Sequence, residues 1–424
     1  MPRMGRFPFF GKRFFRRARK LLGACHAEHF WRIVVVLAGA QEGRSLSDVE
    51  DATQERRSRQ AISNFLTTAE WNAPHLLQQM ALDQLQRLGY RPGDLLYVVL
   101  DDTQKRKRGK LMAAVSKIFL HAEKVYANGH TILGCALIYR GVLIPYAVKL
   151  WAARTSCEKS QAEADPIDRL SFRTLTGLAG DAITALTLPD AAKADAQKKA
   201  NVVVLFDSYY LCAEVIQACE TRGFAYVGVA KKNRNFFPDG RPRDKRKLGR
   251  YGKNVLRRDG RTVKVRGKKH HLAERVGNLS HAGRVKLVFS RRPNEHSWIA
   301  LVTNETRWSM KTVLSHYLHR WGIEVFFKMS KQHLGLGDYH LLRYRGIERY
   351  LCLVLIAYLL LTHQALPAPG AKAEPRAPAE LRLPSIPKLQ QQLRQQLWND
   401  VISTLEGGKH TKLAAKKLKQ LIQC

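Results

Sequence analysis

The chain has 424 residues, 45% of them hydrophobic, and carries 72 Lys plus Arg against 35 Asp plus Glu, a formal net charge of +37. That length and apolar content allow two or three domains with a sizeable core, while the charge repels cationic partners and attracts polyanions, nucleic acid first among them. Seven cysteines, with no Cys-x2-Cys pair, exclude a zinc ribbon or a disulfide framework and suit a reducing cytosol.

Residues 1–92 read as a helical DNA-binding region. Residues 1–20 hold eight basic side chains and no acid, as a nucleic-acid-binding arm would. Residues 27–40, 56–66 and 71–88 have helical patterning, with capping character at 45–48 and a stop near Gly89 and Pro92. Basic helices joined by short turns suit a helix-turn-helix reader, and a helical cap on the next domain suits them equally.

From residue 94 the pattern changes. Residues 95–100 predict a buried strand ending in Asp101-Asp102-Thr103, and residues 131–139 and 142–151 predict two more strands turning at Arg140-Gly141. Helical character follows over 161–186, broken near Pro166. A strand at 202–206 runs into Asp207-Ser208, then a helix at 209–219 and a strand at 224–230. Three strands, helix, strand, helix, with acids closing two strands, is the order of an RNase H-like α/β core. Its first part spans 93–230.

Residues 231–307 read as a β-rich basic insertion. Within 231–270 there are 17 Lys plus Arg against Asp239, Asp244 and Asp259, a net of +14. Phe236, Phe237 and Tyr251 interleave with that charge, which favours a nucleic-acid surface over a merely solvated run. Strands are expected at 261–266, 284–290 and 298–302. Residues 308–365 carry a signature helix and a closing buried helix, whose apolar run at 351–361 is too short to span a bilayer. A Pro/Ala-rich linker follows at 366–387, then a helical basic region at 388–424. There Leu389, Leu393, Leu397 and Val401 repeat every four residues, and 409–419 is a basic amphipathic helix; either could serve self-association or DNA contact.

Tyr317, Arg320, Glu324 and Lys331 stand 3, 4 and 7 residues apart. At about 100° per residue they share one helical stripe about 60° wide. An acid, two cations and a phenol on one face suit a surface holding a metal ion and a phosphodiester together. Three carboxylates can position two divalent ions about 4 Å apart for in-line phosphoryl displacement, and hard cations prefer such oxygens. Asp102, Asp207 and Glu324 are the candidates. Asp101 competes with Asp102, because neighbours on a strand face opposite ways.

The spacing Tyr-x2-Arg-x3-Glu-x6-Lys resembles the catalytic helix of DDE-type transposases of bacterial insertion sequences. The likeness covers about residues 95–364, through Asp102-Thr103, Asp207-Ser208, the run 317–331 and Leu334-Gly335-Leu336. It implies a cut-and-paste DNA transposase, located in the bacterial cytoplasm with the nucleoid. Asp102, Asp207 and Glu324 would be catalytic and bind two Mg2+ ions, which Mn2+ could replace. In that family the first acid directly precedes Thr, which selects Asp102. Tyr317 and Arg320 would contact phosphates and Lys331 the element end. Trp298, ahead of Trp308, would stack on a flipped base. Expected partners are terminal inverted repeats, target DNA and a second copy of the chain, with no membrane. A nuclease that cuts without joining, or an idle DNA-binding descendant, is the alternative. No Walker A motif is present, so nucleotide hydrolysis is not expected.

Overall fold

Four helices come first in the computed structural model, which describes residues 11–41, 46–51, 58–162, 168–189, 201–239, 243–366 and 380–406. They are α1 (Lys12–Gly39, kinked at Gly23), α2 (Leu46–Asp51), α3 (Arg59–Thr67) and α4 (Ala73–Arg87). Side-chain caps start two of them: Ser58 accepts from the Ala61 N–H, and Asn72 from the His75 N–H. Residues 1–10, the first half of the basic arm, lie outside the described residues.

The core follows as β1 (Leu96–Arg106), β2 (Ser116–Leu120), β3 (Val125–Tyr139), β4 (Val142–Trp151), α5 (Arg154–Ser160), α6 (Leu175–Thr184), β5 (Val202–Leu205), α7 (Ala213–Thr221) and β6 (Ala225–Ala230). β3 is antiparallel to β1 and β4, and β5 is parallel to β1 and β6, giving the order β4-β3-β1-β5-β6. This mixed sheet is consistent with the RNase H-like core expected. Of the helical character anticipated across 161–186, the described residues hold one helix, α6; α5 lies just before that range, and residues 163–167 lie outside the description.

The basic segment forms β7 (Asn235–Pro238), β8 (Arg246–Lys247), α8 (Leu248–Asp259), β9 (Arg261–Val265), β10 (Lys268–Leu279), β11 (Gly283–Arg291) and β12 (Trp298–Thr303). β12 returns antiparallel beside β6, with Ala300 opposite Ala230, so the segment extends the core sheet to twelve strands. Neither α8 nor β10 was foreseen. Lys and Arg fill most exposed positions of both and obscure the apolar period that places Leu248, Val255 and Leu256 inward.

The chain closes with α9 (Met310–Tyr317), a 3-10 turn at Leu318–Arg320, α10 (Trp321–His333), α11 (Tyr344–Gln364) and α12 (Ile386–Glu406). α11 is longer than its apolar run. Length and composition alone would let α1 or α11 cross a bilayer, but most of that surface is covered within the fold. α1, α3, α4, α12 and β4 all pack on α11. Both Arg349 guanidinium nitrogens donate to carbonyls around α3, namely Leu66 at 3.0 Å and Trp71 at 2.8 Å. The N-terminal helices therefore cap the core. Leu389, Leu393 and Leu397 are buried against this bundle, and Gln390 donates to the carbonyls of Ala38 and His333. These three leucines, read as serving self-association or DNA contact, are thus internal. Residues 367–379 of the linker and the basic helix at 409–419 lie outside the described residues.

α10 presses closely on β1 and β3. A Cβ on Gly134, opposite Asp101, would lie 2.7 Å from Cζ of Phe327, itself buried. Gly134→Val is expected to cost about 1–3 kcal/mol through overpacking, read as a lower urea midpoint. An unchanged midpoint would mean that α10 does not bear on the strand.

Candidate active site

β1 outlasts its apolar half. Burial is complete from Leu96 to Leu100 and then partial, yet the strand continues to Arg106 because β3 pairs with it as far as Gly129. β5 stops earlier, at Leu205 opposite Val99. Asp101 and Asp102 therefore stand in mid-strand, not at a strand end, and the opening beside them comes from the shorter neighbour. Carried two residues further, the parallel register sets Asp207 abreast of Asp101 and on the same face.

The two adjacent acids part company. Asp101 Oδ2 accepts from Arg320 Nη1 at 3.0 Å, while Asp102 Oδ1 accepts from the Tyr210 hydroxyl at 2.8 Å. Asp101 thus faces α10, and Asp102, selected from the sequence, faces the buried Tyr210 beyond β5. The face toward α10 expected for Asp102 is taken by Asp101. The reason is strand alternation: a following Thr103 does not report which face an acid takes.

Glu324, in the first turn of α10, pairs with Nη2 of the same Arg320, and Arg320 Nε donates to the Tyr317 hydroxyl at 3.2 Å. The signature side chains do share a face, although a 3-10 turn tightens the helix between Tyr317 and Trp321. Lys331 Nζ donates to the Gln104 carbonyl of β1 at 2.7 Å. Arg320, its side chain 14% exposed, is held by protein groups and not turned to solvent. Trp298 is also engaged. Its ring meets Phe289 edge-on at 5.8 Å, Gly252 of α8 leaves it room, and Lys232 Nζ lies 4.5 Å from its centre. It packs the basic segment, part-buried. Trp308 packs on His316 at 4.6 Å.

Electrostatics follow from this crowding. Burial pushes Asp101 up to about 7, with Asp207 and Asp102 adding to the effect and Arg320 opposing it. Burial also raises Asp102, which the Tyr210 hydrogen bond counters and Asp207 reinforces. Burial works against the Arg320 charge, but Tyr317, Asp101 and Glu324 more than offset it and hold the guanidinium above its ordinary range. Burial and Lys105 lower Lys331.

Among the described residues, no three acid, histidine or cysteine side chains form a ready metal cluster. The donor chemistry still fits a hard divalent cation. Asp101 and Asp207 offer carboxylate oxygens at the end of β5, and Asp207 raises the cost of charge on Asp101. Glu324 is joined to them through Arg320, which supplies the positive charge there. Sequence reasoning missed Tyr209 and Tyr210, although both directly follow Asp207-Ser208. Tyr209 donates its N–H to Asp207 Oδ1 at 2.8 Å.

A sequence model of a family described as DDE superfamily endonuclease matches residues 31–284, which takes in Asp101, Asp102 and Asp207 and ends before Glu324. A search of curated proteins finds no match.

Asp101 gives the site a pH signature. Its carboxyl titrates at about 7 when folded and near 3.9 when unfolded. Below about pH 4 both states are protonated. From about pH 4 to 7 the unfolded chain ionises first, so stability is lost as pH rises. Asp101→Asn should remove that loss, and its melting temperature relative to wild type should climb across this window. A constant difference from pH 4 to 8 would contradict the assignment.

Proposed function

The chain belongs to the DDE superfamily endonuclease family, nuclease-type enzymes acting on DNA, and from that premise we propose that it is the cut-and-paste transposase of a bacterial insertion sequence. It cleaves DNA at the element's terminal repeats and joins the freed 3′ hydroxyls to target DNA, working in the cytoplasm as a homodimer on DNA. The observation that carries this reading is one shared face. Asp101 and Asp207 reach it from parallel neighbouring strands, and Glu324 reaches it from a helix tied to Asp101 by Arg320.

Asp101, Asp207 and Glu324 would hold two Mg2+ ions, or Mn2+ in their place. When bound, such ions activate the attacking hydroxyl and offset charge on the departing oxygen. Asp102 stays outside this set, anchored by Tyr210. Arg320 exchanges its carboxylates for a phosphate of the substrate, since each offers a pair of anionic oxygens to the guanidinium fork, and the Tyr317 hydroxyl steers it. Lys331 uses one of its three N–H donors on Gln104 and directs the others to the DNA strand. Arg250, Lys253 and Arg257 stand exposed at helical spacing on α8 and add to a backbone-tracking surface. The family description is of an endonuclease, so cutting without joining is the second reading, and an assay for strand joining separates the two.

Labelled element ends incubated with Mg2+ test the assignment. Asp101→Ala, Asp207→Ala and Glu324→Ala should each lose cleavage and joining by about 10³-fold or more while gel-shift affinity stays within about threefold, because affinity comes from Lys and Arg on the phosphate backbone. Asp102→Ala should retain most activity. Full activity in Asp207→Ala or Glu324→Ala would remove the proposal. Inactive Asp102→Ala beside active Asp101→Ala would return the first position to Asp102.

A further inference from the structure

β2 and β3 project beyond the sheet as a hairpin. β1 ends at Arg106 opposite Gly129, and from Val125 to Asn128 β3 has β2 as its only strand partner. Residues 121–126 at the outer end of this hairpin all stand exposed among the described residues, so polar side chains are expected there. Instead Phe119 and Tyr126 face each other across the strands with rings 5.1 Å apart, and Tyr126 is 70% exposed. The His121 ring lies 5.3 Å from Phe119. Lys117 and Lys124 are exposed on the same hairpin, and neither has an acidic partner among the described residues.

This aromatic ledge belongs to the neighbourhood of the acids. The His121 N–H donates to Gln104 Oε1 at 3.1 Å, and the Gln104 carbonyl in turn accepts from Lys331. His121 is close enough to act electrostatically on Asp102. A second exposed aromatic, Tyr209, flanks the acids beside Asp207, its ring edge-on to Tyr210 at 5.3 Å. Exposed aromatics beside lysines match the chemistry of an unpaired nucleic-acid strand, whose bases present π-faces and whose backbone is anionic.

We propose that Phe119, His121 and Tyr126 form a stacking site for unpaired bases of the DNA strand entering the acid cluster, with Lys117 and Lys124 taking its phosphates. The proposal rests on the reading of the chain as an enzyme acting on DNA, and adds that it grips an opened strand. Stacking takes any base, so the site discriminates strand opening and not sequence.

Fluorescence anisotropy without divalent metal tests this, comparing a labelled blunt duplex with the same duplex bearing a single-stranded overhang of about ten nucleotides, a length within the usual single-strand site sizes. Wild type should bind the overhang DNA more tightly. The double variant Phe119→Ala/Tyr126→Ala should lose about 10-fold on the overhang DNA and less than about twofold on the blunt duplex. Phe119→Trp/Tyr126→Trp should restore the preference, and Lys117→Glu/Lys124→Glu should reproduce the loss by an independent route. Equal losses on both DNAs, or none, overturn the proposal. So does a double variant that turns a dimer into a monomer with its overhang preference intact, because the ledge is then a contact between copies. Asp207→Ala should keep the preference. Failure of the catalytic reading therefore shows in cleavage, and failure of this one in binding.

Discussion

Asp101 stands abreast of Asp207 and withdrawn from water, so its charged form depends on a nearby positive charge. Asp101 and Asp207 are so placed because β5 ends two residues short of them while β1 runs on under the cover of β3. Arg320 supplies the charge, and much of the surrounding architecture serves to bring it there. The 3-10 turn between α9 and α10 delivers the guanidinium over β1. Gly134 and Gly322 leave room for the helix to approach, the first beneath Phe327 and the second beside Ile138. α11, buried among five other elements, holds the assembly from behind.

The basic segment is coupled to the same point. Its strands continue the core sheet through β12 and β6, so its charge is carried on a frame rigid with the acids. The tip between β9 and β10 also reaches back, where Arg266 Nη2 meets His319 Nε2 at 3.0 Å and pairs with Glu380. His319 sits in the 3-10 turn, stacked on Tyr97 of β1 at 4.2 Å. A net of +14 within residues 231–270 thus borders a cluster of acids. The positive field draws a polyanion in, and the acids make the point of entry suited to a cation that the polyanion can share.

Strands with all-apolar stretches, such as residues 96–100 and 202–205, were legible because burial on both faces leaves a continuous run. The signature helix was legible because it carries charged residues where a core helix would not have them. What hid was of three kinds. The facing of Asp101 against Asp102 depends on the register with β5 and on Arg320, more than two hundred residues away in sequence. α8 and β10 were masked by Lys and Arg on their exposed sides. The leucines of α12 followed a helical repeat, but which surface they would meet, another copy or α1 and α11 of the same chain, is a tertiary fact that no periodicity carries.

The central claim is that Asp101, Asp207 and Glu324 form one cation site whose charge Arg320 balances in the metal-free protein. Anomalous diffraction from crystals soaked in Mn2+ tests it most directly. The account predicts an ion held by Asp101 and Asp207 carboxylates, with Glu324 released from Arg320 to join them. An ion bound instead by Asp102 on the Tyr210 side, or Arg320 still bridging Asp101 and Glu324 at saturating Mn2+, would contradict it.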